Sequence, residues 1–215
     1  MLGALDALHA SAGAPEKAVQ AGSEALPLLK AAGVTADLVE AMKALVDAHT
    51  ALRDLDAAEA VAAELQKHFA AEGDNEGGAE AWMCLCNVAL GQDRPDDALR
   101  AAAQAQKLVQ AEGDAKGEAE VLRIMCEVHM RREEYKAVVR EAEMGRALFR
   151  DLGDEAGETL MLYMLAHGSV SLAIRDGARV EEQPRASRAS RDALAKAAKA
   201  SASAVRQARA LPDGS

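Results

Sequence analysis

Gly33, Gly73, Gly113 and Gly153 stand 40 residues apart in a chain of 215, and this period constrains the fold more than any other feature. Asp74, Asp114 and Asp154 follow the last three glycines, and Thr35 falls near the same place in the first interval. Such pairs read as a helix stop followed by a helix start. Glycine takes the left-handed conformation that ends a helix without a Cβ penalty, and an Asp or Thr side chain accepts from the free amides that open the next. Other columns keep the period. Leu5, Leu45, Leu85, Met125 and Leu165 share one position, and Glu40, Glu80 and Glu120 a second. Ala18, Ala58, Ala98 and Val138 form a third, and Leu29, Phe69, Val109 and Phe149 a fourth. Pro15 and Pro95, two periods apart, stand where a helix should begin, because the missing proline amide costs nothing in a first turn. An alanine-rich chain could repeat one column by accident, but not all of these.

Each period splits into two amphipathic helices joined by a polar turn, "LRDL" near 52, "GQDRP" near 91 and "RREEY" near 131. The pattern predicts helices at about 2–11, 15–31, 35–51, 55–71, 75–90, 95–111, 115–131, 134–151 and 155–175. Half the residues are apolar but only 2% are aromatic, so the core is built from small side chains and its helices must approach closely. Period-two runs of β-branched and aromatic residues are missing, which argues against sheets. The expected fold is all-α, an α-α superhelix of about four to five helical hairpins over residues 1–175. Beyond it Gly177 and Pro184 stand where a second helix should run, so 176–185 reads as a loop. Residues 186–215 carry alanines at 189, 193, 197, 200, 204 and 208, at helical spacing. They read either as a displaced capping helix or as a basic, partly disordered tail.

The net charge of −10 is unevenly spread: residues 1–178 carry 31 acidic and 17 basic side chains, and 179–215 carry 4 and 8. The acidic body repels phosphate backbones, so nucleic acid is not an expected partner. The opening "MLGALDALHASAG" has no basic n-region. The most apolar stretch, 159–174, is 16 residues long, short of the roughly 20 that a membrane-spanning helix needs; it reads as a buried helix. Three closely placed cysteines make no disulfide framework. An intracellular, cytoplasmic location without membrane insertion is expected, with an organelle left open.

Trp82, Leu85, the small Cys86 in a glycine position, Asn87 and Ala98 together resemble the tetratricopeptide repeat. The 40-residue spacing and the openings "GDNEGGAEA", "GDAKGEAEV" and "GDEAGETLM" are similar to the longer variant found in Pins-type spindle-orientation scaffolds. In that family the first helices of the hairpins line a groove that holds a segment of a partner protein. The resemblance places Glu40, Lys43, Asp47, Glu80, Met83 and Asn87 in such a groove, followed by Glu120, Arg123, Glu127, Met130, Tyr163 and His167. Three glutamates at one groove position imply a basic or amphipathic ligand segment. The alternative is an architectural subunit packed permanently against neighbours in a large complex.

Chemistry-bearing residues have structural explanations. Cys84 and Cys86, two apart on a helix, point in nearly opposite directions, while Cys86 and Cys126 share a column where paired helices approach closely. His9, His49 and His129 occupy the family's tyrosine position, where each is expected to be packed with a hydrogen-bond partner. Asp96–Asp97 and Glu133–Glu134 stand at helix starts and complement the helix dipole. No phosphate loop or nucleophile motif appears. The sequence therefore predicts neither enzymatic activity, metal nor cofactor.

Overall fold

The computed structural model describes residues 14–33 and 35–180, with side chains as far as 175. Among the described residues there are eight α-helices and no strand. They are α1 (Pro15–Ala32), α2 (Thr35–Ala51), α3 (Leu55–Glu72), α4 (Asn75–Gly91), α5 (Pro95–Glu112), α6 (Ala115–Arg131), α7 (Tyr135–Asp151) and α8 (Glu155–Val180). The bounds expected from the 40-residue period hold to within a residue, save at the end of α8. The expected first helix at 2–11 and the segment 186–215 lie outside the described residues.

The period is written into the turns. Gly33, Gly73, Gly113 and Gly153 have φ of 67, 70, 68 and 73°, and Arg53, Asp93 and Glu133 have φ of 62, 58 and 56°. A left-handed residue thus recurs every 20 positions, alternately glycine and non-glycine. Five of the seven, at 53, 73, 93, 133 and 153, close a helix with the same pair of bonds. At the first such non-glycine turn Asp54 N donates to His49 O at 2.9 Å and Arg53 N to Thr50 O at 3.0 Å, and Asp74 N donates to Phe69 O at 2.9 Å at the next glycine. These Schellman closures satisfy carbonyls that a helix end leaves bare. The residue that completes the closure also caps the following helix: Asp54, Asp74 and Asp154 accept from Ala57, Gly77 and Gly157 amides at 3.1, 2.9 and 2.9 Å. Stop and start share a two-residue turn, which is why the helices fold back as hairpins. Asp114 makes no such side-chain bond, and Thr35 is the first helical residue rather than a cap.

The chain divides into two compact units, Met1–Gly113 and Asp114–Ser215. In the first, α1 packs on α2, α2 on α3 and α4, α3 on α4, and α4 on α5, and α1 reaches α3 through the ion pair of Lys30 with Glu64. Its core joins Leu29, Leu38, Met42, Leu65 and Phe69 with Ala25, Ala41, Ala58, Ala62 and Ala81, all at most 2% exposed. In the second, α7 packs between α6 and α8, and Leu122, Val138, Phe149, Met161 and Leu162 form the core. Both units use one device. A Cβ added at Gly77 would lie 2.5 Å from the Phe69 ring, and Gly157 meets Phe149 in the same way. In these two "GD-x-x-G" openings the second glycine makes room for the aromatic ring eight residues earlier.

The loop expected at 176–185 does not begin at 176, because α8 continues to Val180. A lone glycine such as Gly177 costs a helix only about 1 kcal/mol, and Arg175 holds the late turns in place. Its Nη1 donates to Glu133 O at 3.0 Å, and its guanidinium lies 5.3 Å from the Tyr135 ring centroid. Positions 181–185 lie outside the described residues.

Candidate interaction surfaces

The residues assigned to a groove fall on three stretches of surface. In the first unit, Lys43 on α2 donates to Glu80 Oε2 on α4 at 2.9 Å. Burial raises the Asp47 carboxyl above its ordinary pKa, and the nearby Lys43 partly offsets that. Glu40 and Asn87 are exposed. Met83 is only 7% exposed and belongs to the core, which corrects its assignment to the groove. Its column holds Lys43, Arg123 and Tyr163 elsewhere. Those side chains lay an apolar stem on the protein and reach solvent with a polar tip; methionine has no such tip and is covered.

In the second unit, Arg123 on α6 donates from Nε to Glu120 Oε2 at 2.8 Å and from Nη1 to Glu127 Oε1 at 3.1 Å. Met130 is half-buried. On α8, Tyr163 and His167 are exposed, their rings stacked with centroids 6.0 Å apart. The recurring glutamates therefore do not create a uniformly acidic face, since Glu80 is paired to Lys43 and Glu120 to Arg123.

Two features of the surface escaped the sequence reading. On α8, Leu160, Val170 and Ile174 are 36%, 37% and 67% exposed and share a face with Tyr163, which is 57% exposed. The equivalent column on α2 is polar at Glu40, Lys43, Asp47 and Thr50. The three-and-four spacing of 160, 163, 167, 170 and 174 was the available signal, hidden because this helix is apolar nearly all round.

The second feature is a polar cluster beneath the surface of α6 and α7. His129 Nδ1 lies 2.5 Å from Glu134 Oε2, and Nε2 lies 3.2 Å from Glu141 Oε1. Glu141 is 4% exposed, and it also accepts from Arg140 at 3.1 Å. Its other oxygen, Oε2, is buried without a hydrogen-bond partner among the described residues. The hydrogen bond to Glu141 raises the His129 pKa; burial opposes this, and Glu134 adds to the rise. Glu134 is held below the usual carboxylate range, first by its bond from Arg132. His129 thus has the polar partners expected of it, whereas His49 reaches Asp54 only at 3.8 Å. His9 lies outside the described residues.

Cys84, Cys86 and Cys126 are buried, and none of them is in a disulfide among the described residues. Burial first, then neighbouring carboxylates, pushes the Cys84 and Cys126 thiols up to about 12. Among the described residues no group of three or more His, Cys, Asp or Glu is placed to hold a metal ion, and no helix is long and apolar enough to cross a membrane. The chain matches no protein-family model, and no curated protein matches it in sequence.

Proposed function

We propose that this chain is a protein-interaction module of the tetratricopeptide-like kind, in which exposed faces of first helices hold an amphipathic segment of a partner protein. The observation that carries this reading is the change of character along one column: polar on α2, but apolar and aromatic on α8 at Leu160, Tyr163, Val170 and Ile174. An exposed apolar stripe on an otherwise charged surface marks a contact site. A helical segment with apolar side chains at matching three-and-four spacing fits it. Basic residues on that segment have Glu120 and Glu127 in the same unit to meet, though both already share Arg123. The apolar contact therefore dominates and the charge sets orientation.

The test is titration with a fluorescent amphipathic peptide bearing leucines at three-and-four spacing and lysines on its other face. Tyr163→Glu combined with Ile174→Glu should abolish binding, and Glu120→Lys should weaken it by a few-fold and flatten its salt dependence. Binding that survives the double substitution sinks the proposal. Leu28 at 54% and Met144 at 47% exposure, on α1 and α7, favour a second reading as a subunit packed among permanent neighbours. Such a subunit self-associates when isolated and co-purifies in fixed ratio with its complex, whereas a free module is monomeric.

A further inference from the structure

A cleft of about 530 Å³ opens in the first unit between α3 and α5, floored by Trp82 and Leu85 of α4. Its origin is visible by comparison with the equivalent place one period earlier. There, between α1 and α3, Val19, Leu26 and Val61 pack on the core, and Met42 and Leu45 are 0% and 1% exposed. Forty residues on, those three positions are Glu59, Gln66 and Ala101, and the floor residues are Trp82 and Leu85, both half-buried. Three side chains that would close the roof are shortened or made polar. The result is an opened aromatic floor where the neighbouring repeat has a sealed core.

The rim is ordered and carries a surplus of cations. Arg94, at the start of α5, donates to Glu59 of α3 at 2.6 Å and pairs with Asp97 at 3.2 Å. Gln92 also donates to Glu59, at 3.1 Å. These bonds tie α3 to the turn that opens α5, although the two helix backbones do not pack together, so the cleft is held open before anything enters it. Arg100 shares Asp97 with Arg94. Lys67, exposed at the cleft, has no ion-pair or hydrogen-bond partner among the described residues. Both rim carboxylates are thus engaged and one cation is left over.

We propose that this cleft is a second docking site, separate from the α8 stripe, and that it takes a partner segment presenting a large apolar side chain next to a carboxylate. The apolar group seats on Trp82 and Leu85 beside Ala63 and Ala101, and the carboxylate meets Lys67 at the rim. An aromatic anchor in a preformed pocket is the arrangement that concentrates binding energy at interfaces. A basic segment would face Lys67, Arg94 and Arg100 with both rim carboxylates already occupied.

Trp82 is the chain's only tryptophan, so its emission reports occupancy directly. The probe is an acetylated, amidated tetrapeptide of sequence Glu-Phe-Glu-Leu, with a control carrying Lys for both Glu. The acidic peptide should shift Trp82 emission saturably, and the lysine peptide should bind about tenfold more weakly or not at all. Ala101→Val, which restores the residue of the preceding repeat, should cost at least about tenfold by filling the cleft. Lys67→Glu, on the surface, should cost about five- to tenfold with helical circular dichroism unchanged. The proposal is overturned by an acidic peptide that produces no saturable shift. Equal binding of the two peptides, or undiminished binding in both variants, would overturn it as well.

Discussion

Replacing His129 with alanine should be among the most damaging single changes in the second unit, and a second replacement should undo it. The imidazole bridges Glu134 and Glu141. When it is removed, Glu134, whose side chain is 38% exposed and bonded to Arg132, relaxes into solvent. Glu141 has no such escape: its side chain is 5% exposed and its remaining partner, Arg140, is 67% exposed. A buried carboxylate stripped of its main counter-ion costs about 3–5 kcal/mol. Glu141→Ala alone should cost only about 1–2 kcal/mol, because His129 keeps Glu134 and is free to deprotonate. His129→Ala with Glu141→Ala should recover at least about 2 kcal/mol of the first loss. The fold itself supplies the precedent, since the same two columns one period earlier hold Ala89 and Ala101, 4% and 5% exposed. Urea unfolding followed by helical circular dichroism, on wild type, both singles and the double, closes the cycle. A double variant as unstable as His129→Ala would refute the reasoning, because the penalty would then lie in lost packing rather than in an abandoned charge.

The same cluster fixes a pH dependence. The folded His129 pKa is raised above its ordinary value of 6.5, so its stabilising contribution is complete below that value and is lost as pH rises through the folded value. Wild type should lose stability relative to His129→Ala over that window. Glu134 acts in the opposite sense: its lowered pKa gives stability that is present above its ordinary value of 4.5 and disappears as pH falls through the lowered one.

The left-handed turns predict opposite signs at equivalent places. Gly73→Ala, at φ 70°, should destabilise by about 1 kcal/mol or more, whereas Arg53→Gly or Glu133→Gly should be neutral or stabilise by up to about 1 kcal/mol, as read from thermal melts. Gly77→Ala brings a Cβ to 2.5 Å from the Phe69 ring; an overpacking cost of about 1–3 kcal/mol outweighs a helix-propensity gain of about 1 kcal/mol. A concurrent Phe69→Leu should reduce that overpacking cost in a double-mutant cycle. With Cys84 and Cys126 pushed up to about 12, an aromatic disulfide reagent at mildly alkaline pH should label them on the order of a thousandfold more slowly than free cysteine. Urea should release each thiol as the helices that bury it unfold, and labelling of the native protein within seconds would contradict their burial.

The helix register was legible in the sequence because its punctuation is chemical. Glycine, aspartate and proline report backbone needs that few other residues meet, and α1, α3 and α5, each opened by Pro or Asp and closed by Gly, start and stop where these residues stand. The alternate turns were legible as polar stretches, but their left-handed residues were not. Arg53, Asp93 and Glu133 carry no mark of φ in their side chains, and only the midpoint of the glycine period places them. The end of α8 failed for the converse reason. Gly177 looked like punctuation, but a helix stops only where a closure satisfies its carbonyls, and continuing the helix satisfied more of them.

Recurrence was a weaker guide to the surface than to the core. A core column repeats because its neighbours repeat, so one apolar position predicts the next. A charged column repeats without its partners doing so. Lys43 reaches the glutamate of the following repeat, while Arg123 serves two glutamates of its own helix. Counting glutamates overstates the field that a ligand meets, because each exposed ion pair approaches neutrality at a distance and is worth little on its own. Where the column departs from its charge, at Tyr163 and along α8, no internal pairing cancels the exposed apolar area. The repeat explains the scaffold, so the information about partners lies in its exceptions: the apolar stripe on α8, and the opened roof over Trp82. Substitutions at Tyr163, Ile174 and Ala101 therefore discriminate between functions where a substitution at Glu80 breaks only the ion pair with Lys43.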